Sequence, residues 1–169
     1  MNNTIHSSDD FEGMRKAGNL AASTLDLLVE KVKPGVSTEE IDNIAFDYIV
    51  RHGGLIAPLF YKGYPKSVCT SINHVICHGI PSSRILENGD IVNIDVTVIV
   101  DGWHGDTSRM FPVGKINAKA QKLIDCTFQA MHEGINAAQP DATLGDIGNA
   151  IQTYACLLYT SPSPRDITP

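Results

Sequence analysis

Apolar and polar positions change period along this chain, and each period predicts an element. From Phe11, the residues Met14, Ala17, Ala21, Leu25, Leu28 and Val32 recur on one helical face. A first helix is predicted there, capped by Ser8-Asp9-Asp10 and stopped by Pro34-Gly35. Ser37 and Glu40 have capping-box spacing for a second helix. Its apolar face carries Ile41, Ile44, Ala45, Tyr48 and Ile49, and Gly53-Gly54 ends it. From Leu55 to Phe111 the pattern becomes alternating, which predicts two strand pairs. Helical spacing returns between Lys119 and Ala138, with Leu123, Ile124, Phe128, Met131 and Ile135 as the expected core stripe. Thr143 to Asp146 can cap a last helix through Ile147, Ile151 and Tyr154. Helices, then strands, then helices: this order favours an α+β domain over a βαβ repeat.

The second strand pair carries the chemistry. Asp101-Gly102 is a two-residue hairpin signal. With that turn, Val100 faces Trp103, Thr97 faces Asp106 and Asp95 faces Ser108. Val92, Ile94, Val96 and Val98 alternate with Asn93, Asp95 and Thr97. Asp95, Thr97 and Asp106 therefore share one face. Asp95 and Asp106 become diagonal neighbours, ~7–8 Å apart at the backbone. Two carboxylates leaning together can hold one cation or a closely spaced pair. Oxygen donors suit hard or borderline divalent ions. The plain alternative is two solvated aspartates on an exposed face. The apolar flanks weigh against it, because burying like charges without a cation is costly. Two aspartates alone make a weak site, so further ligands are needed.

The stretch from Lys66 to Pro81 is predicted as the other hairpin, turning at Asn73-His74. In that register Cys69 faces His78, and Cys77 lies on the opposite side. A zinc site from Cys69, Cys77 and His78 is the rival. Adjacent strand residues point apart, and the spacing lacks a CxxC knuckle. His78 alone reads equally well as a satisfied core histidine. His104 reads as structural. His132-Glu133 lacks an HExxH partner and reads as a solvated helix face.

Composition narrows the classes. The chain has 169 residues, enough for one domain with a real core. Apolar residues make up 43% and charged residues 19%, which is ordinary for a globular protein. A net charge of −6 and the lack of a basic stripe argue against direct nucleic-acid binding. No run of ~18 apolar residues exists, so no membrane span is expected. The polar, acidic start MNNTIHSSDD does not read as a secretory signal. The 4 cysteines form no CxxC pair, which fits reduced thiols in the cytoplasm. Ser161-Pro162-Ser163-Pro164 cannot continue a helix, and disorder is expected from about Ser161 onward.

The stretches VKPGVSTEEID, YPKSVCTSINHVICHGIP and GDIVNIDVTVIVDGWHGDTS, in this order and spacing, resemble type I methionine aminopeptidases. The resemblance runs from about Asp10 to Ala155. It implies the creatinase/aminopeptidase "pita-bread" fold. Residues 1–155 would carry its first pseudo-symmetric half and the start of the second. Residues 156–169 would be an unrelated tail, as in a truncated or chimeric reading frame. The implied activity is removal of the initiator methionine from nascent polypeptides at the ribosome, by a cytoplasmic monomer. Two divalent metal cations (cobalt, manganese, iron or zinc) would activate water. On this resemblance, Asp95 matches the aspartate that binds one metal through both oxygens, and Asp106 the one that bridges both metals. His78 matches the catalytic histidine that contacts substrate near the scissile amide. Tyr61, Tyr64 and Cys69 match residues lining the methionine pocket, where rings and a thiol suit an unbranched thioether. Core packing is the alternative for each. Thr97, on the face shared with both aspartates, reads as a hydrogen-bond partner of the activated water.

The chain departs from the family in one respect. A further metal-binding histidine in a Gly-His-Gly setting and two metal-binding glutamates have no match here. Glu12, Glu30, Glu39, Glu40, Glu87 and Glu133 all fall in segments that match non-ligand parts. The chain as written is therefore expected to bind metal poorly, to lack aminopeptidase activity and to expose an apolar strand edge. A non-catalytic creatinase-fold binding module is the alternative. Retention of Asp95, Asp106 and His78 favours the enzyme.

Overall fold

The computed structural model describes residues 5–158, in two compact units divided between Ile116 and Asn117. The expected disorder from Ser161 lies outside the described residues. In the first unit, α1 spans Ser8–Leu28 and α2 spans Thr38–Arg51. Four strands follow: β1 (Leu55–Ile56), β2 (Cys69–Ile72), β3 (Ile91–Val100) and β4 (Trp103–Pro112).

α1 begins at Ser8, three residues before its expected start near Phe11. Ser7 is the cap: its backbone N–H donates to Asp10 Oδ2 at 2.7 Å, and its hydroxyl accepts from the Asp10 N–H. The helix ends at Leu28 rather than at Pro34-Gly35, because the chain already turns through Val29, whose N–H donates to Asp26 O. Ala17, Leu20, Ala21, Thr24, Leu25 and Leu28 are buried, while Met14, expected on that face, is exposed. α2 is capped by Ser37, whose hydroxyl accepts the Glu40 N–H at 3.1 Å. Ile41, Ala45 and Ile49 enter the core, with Ile44 and Tyr48 packed against it.

β3 is the spine of the sheet. It pairs antiparallel with β4 along its whole length, and on its other edge with β2 and then β1. Among the described residues, β4 pairs with no second strand. Val92, Ile94, Val96 and Val98 point into the core, and Asn93, Asp95 and Thr97 to the other face, as alternation requires. α1 comes very close to β4 at Gly105. A Cβ there would lie 2.2 Å from the carbonyl carbon and oxygen of Ala17, so only glycine fits.

The predicted first hairpin does not form. β2 has the expected position, but its ladder partner is β3, with Cys69 opposite Asp95 and Ile72 opposite Val92. The chain after Asn73 leaves the sheet because the Asn73 side chain takes over its bonds. Its Oδ1 accepts the Ile91 N–H at 3.0 Å and its Nδ2 donates to Asp90 at 2.8 Å.

The second unit is a pair of helices, α3 (Ala118–Ala137) and α4 (Leu144–Leu158). Asn117 caps α3, and Thr143 with Asp146 forms a reciprocal box for α4. The helices meet where Gly134 faces Ile151; a Cβ on Gly134 would lie 2.7 Å from that side chain. The buried positions of α3 are Cys126, Ala130 and Gly134. The expected core stripe is therefore corrected: Leu123, Phe128, Met131 and Ile135 are exposed. Periodicity marks an apolar face, but within this unit small residues make the close contact.

Candidate active site

A cavity of about 610 Å³ opens in the first unit on the polar face of β3. The structure brings every sequence-nominated residue to its wall: Asp95, Asp106, Thr97, His78, Cys69, Tyr61 and Tyr64. Pro58, Lys62, Gly63, Pro65 and Ile80 complete it.

The hairpin supplies the carboxylates in the register expected from its turn. Thr97 lies directly opposite Asp106, and Asp95 opposite Ser108. The Thr97 hydroxyl donates to Asp106 Oδ1 at 3.1 Å. Asp95 is half-buried and Asp106 exposed. Burial holds the Asp95 carboxyl above its ordinary range, and the charge and hydrogen bonding of Asp106 push it further up; His78 and the Val96 N–H pull the other way. Asp95 thus carries the cost of a like charge held close to it.

β2 delivers Cys69 to the same floor through its pairing with β3. Burial pushes the Cys69 thiol up; a hydrogen bond with Tyr64 opposes this, and the charge of Asp95 adds to it. Cys69 is then a neutral, thioether-like wall group rather than a thiolate ligand. Cys77 is exposed and Cys69 buried, and both are free thiols.

Two loops provide the remaining wall. Phe60 and Lys62 flank Tyr61 with left-handed backbones, φ 66° and 48°. His78 is exposed, also left-handed at φ 54°, so it is neither a strand residue nor a core histidine. Buried Asp42 on α2 anchors the lead-in to β2, accepting the N–H groups of Ser67 and Val68 at 2.7 and 3.1 Å. Sequence reasoning missed Asp42. Its position on the buried face, between Thr38 and Ala45, was the available signal.

Asp95 and Asp106 offer oxygen donors of the kind hard and borderline divalent cations take, and their mutual repulsion is what such an ion would relieve. They fit as part of a metal site. Among the described residues, no cluster of three or more histidine, cysteine, aspartate or glutamate side chains could hold a metal.

An α+β unit with paired carboxylates on a strand hairpin defines the class of protein to compare, and comparison identifies it. Residues 12–159 match metallopeptidase family M24, and the chain belongs to that family. It is 57% identical over 151 residues to a methionine aminopeptidase of Rickettsia prowazekii, covering 89% of this chain and 58% of that protein. It is 51% identical over 153 residues to methionine aminopeptidase A of Synechocystis, covering 90% and 60%. A crystal structure of methionine aminopeptidase from Rickettsia prowazekii superposes with a TM-score of 0.90 at 56% identity, covering 91% of this chain and 62% of that one. A prolidase from Pyrococcus furiosus, at 19% identity and TM-score 0.78, shares the fold alone. The chain spans about 58% of the length of the first of these curated relatives.

Proposed function

We propose that this chain is part of a methionyl aminopeptidase that removes the initiator methionine from nascent polypeptides. One observation carries the reading: paired carboxylates, a histidine and an apolar-lined recess converge on one cavity. The names of its relatives support it. Asp95 and Asp106 would hold two divalent cations (cobalt, manganese, iron or zinc), which when bound supply Lewis-acid activation of the carbonyl and of water. Thr97, by donating to one oxygen of Asp106, leaves that carboxylate in a fixed orientation. His78, exposed at the cavity wall, donates a hydrogen bond to the peptide beside the bond to be cut. The Tyr61 and Tyr64 rings and the neutral Cys69 thiol receive the methionine side chain. The substrate is a chain emerging from the ribosome, and the setting is the cytoplasm. The protein works as a monomer, without membrane or direct nucleic-acid contact. Among the described residues no helix is long and apolar enough to cross a membrane.

The test uses the full-length protein. Divalent metal should switch on release of methionine from a Met-Ala peptide, and Asp106→Ala should abolish both metal binding and turnover. Unchanged turnover in that variant would sink the site. The lack of a third ligand among the described residues favours one other reading, a non-catalytic binding module. That reading expects Met-peptide binding without release at any metal concentration.

A further inference from the structure

We propose that Tyr64 is a positioning residue for His78, acting through the carbonyl of Gly79, and that its hydroxyl and its ring serve separate purposes. The inference rests on the reading of His78 as a substrate-contacting group.

His78 needs something to hold it. Its backbone is in a region non-glycine residues seldom occupy, and its side chain is exposed. Between Ile76 and Pro81 the only backbone–backbone hydrogen bond among the described residues is the one from the Thr70 N–H to Gly79 O, at 2.7 Å. Gly79 follows His78 directly. Its N–H donates to Ser71 Oγ at 3.2 Å, and its carbonyl also accepts from the Tyr64 hydroxyl at 3.2 Å. A Cβ on Gly79 would lie 2.2 Å from Thr70 O, so the segment is clamped flat against β2. Among the described residues, the hydrogen bonds that hold the backbone beside His78 run through this one glycine.

Tyr64 is the tie that comes from outside β2. Its hydroxyl also lies 3.0 Å from Val68 O, so its one proton is shared between two carbonyls. One belongs to the lead-in of β2, the other to the neighbour of His78. Buried Asp42 also holds that lead-in, through the N–H groups of Ser67 and Val68. The phenol therefore bridges a rigid anchor to an otherwise loosely bonded segment. Burial pushes the Tyr64 phenol well above its ordinary range, so it stays a donor throughout neutral pH. Because the hydroxyl is engaged by two backbone carbonyls and the Cys69 thiol, the ring is what remains for a ligand in the cavity.

Tyr64→Phe separates the two roles, since it keeps the ring and removes the tie. Circular dichroism should be unchanged. Exchange of the Thr70 amide should quicken about tenfold, as one lost hydrogen bond allows, and the His78 ring signals should broaden. In metal-loaded full-length enzyme kcat should fall about tenfold with KM for a Met-Ala peptide held within about twofold. Unchanged Thr70 exchange and kcat would overturn the proposal. So would raised KM at constant kcat, which is the mark of a wall residue. If Tyr64→Phe fails to fold, the wild type decides: the Tyr64 hydroxyl proton should exchange slowly enough to be seen by NMR, with cross-peaks to Gly79, and a fast-exchanging hydroxyl without them would equally overturn the proposal. If the wild type releases no methionine with any divalent metal, the functional reading fails, and amide exchange still decides the latch.

Discussion

The Thr97 hydroxyl donates to Asp106 Oδ1 across directly paired positions of β3 and β4, at 3.1 Å. A carboxylate held this way presents its second oxygen in one direction. Thr97→Val keeps the shape and removes the donor. Affinity for divalent metal should drop about tenfold or more, as loss of a ligand's hydrogen-bond partner typically causes. The thermal midpoint should barely move. Isothermal titration of Mn²⁺ into wild type and variant compares the two.

Asp95 and Asp106 put function and stability in opposition. An acid whose folded-state pKa is raised binds its proton more tightly folded than unfolded. That contribution to stability is fully present below the unfolded value of 3.8, and is lost as pH rises through the raised folded value. At neutral pH, in EDTA, Asp106→Asn should therefore melt a few degrees higher than wild type. It should also lose the rise in midpoint that added Mn²⁺ produces in wild type. A variant that melts lower in EDTA would contradict the repulsion.

Gly105 admits no side chain because Ala17 lies against it. Gly105→Ala must push α1 off β4 and should cost about 1–3 kcal/mol. Urea unfolding of the two chains measures this directly. Gly18→Ala, whose Cβ would meet nothing within 4 Å on a helical backbone, is the control for steric conflict.

At the start of α4, Asp146 accepts the Thr143 N–H at 2.8 Å, and that bond holds its carboxyl below the ordinary range. A lowered acid contributes stability that is complete above the unfolded value of 3.8 and disappears as pH falls through the lower folded one. Thr143→Ala should cost about 1 kcal/mol at neutral pH. Helix content followed by circular dichroism during acid titration should show α4 fraying earlier in the variant.

Phe128 and Ile135 are exposed on α3. Phe128→Lys should change stability by no more than about 0.5 kcal/mol and should reduce light scattering at high concentration. A large loss of stability would mean that this face is covered in solution.

Local signals were readable in the sequence and non-local pairings were not. The β3–β4 register follows from Asp101-Gly102 and strict alternation, so the face shared by Asp95, Thr97 and Asp106 could be read before any coordinates. The Thr143–Asp146 box was equally plain. The error at β2 has one cause: the Asn73 side chain substitutes for ladder bonds, and no alternation rule sees a side chain doing so. The convergence of Cys69 and Asp95 depends on β2 choosing β3, a choice made by distant residues. On α3 the apolar stripe was read correctly as a stripe and wrongly as core, since spacing does not say what lies opposite. Asp42 shows the converse: a charge on a buried face is a structural anchor when backbone N–H groups come to meet it.

Phe60, Lys62, Asn73 and His78 all keep left-handed backbones in the segments that rim the cavity or lead into it. Each conformation costs energy that the rest of the unit must supply. Resistance to heat and the shape of the recess are thus in competition at these positions. A screen for thermal endurance would harvest glycine replacements there, and those winners are the clones to discard when peptide cleavage is the goal.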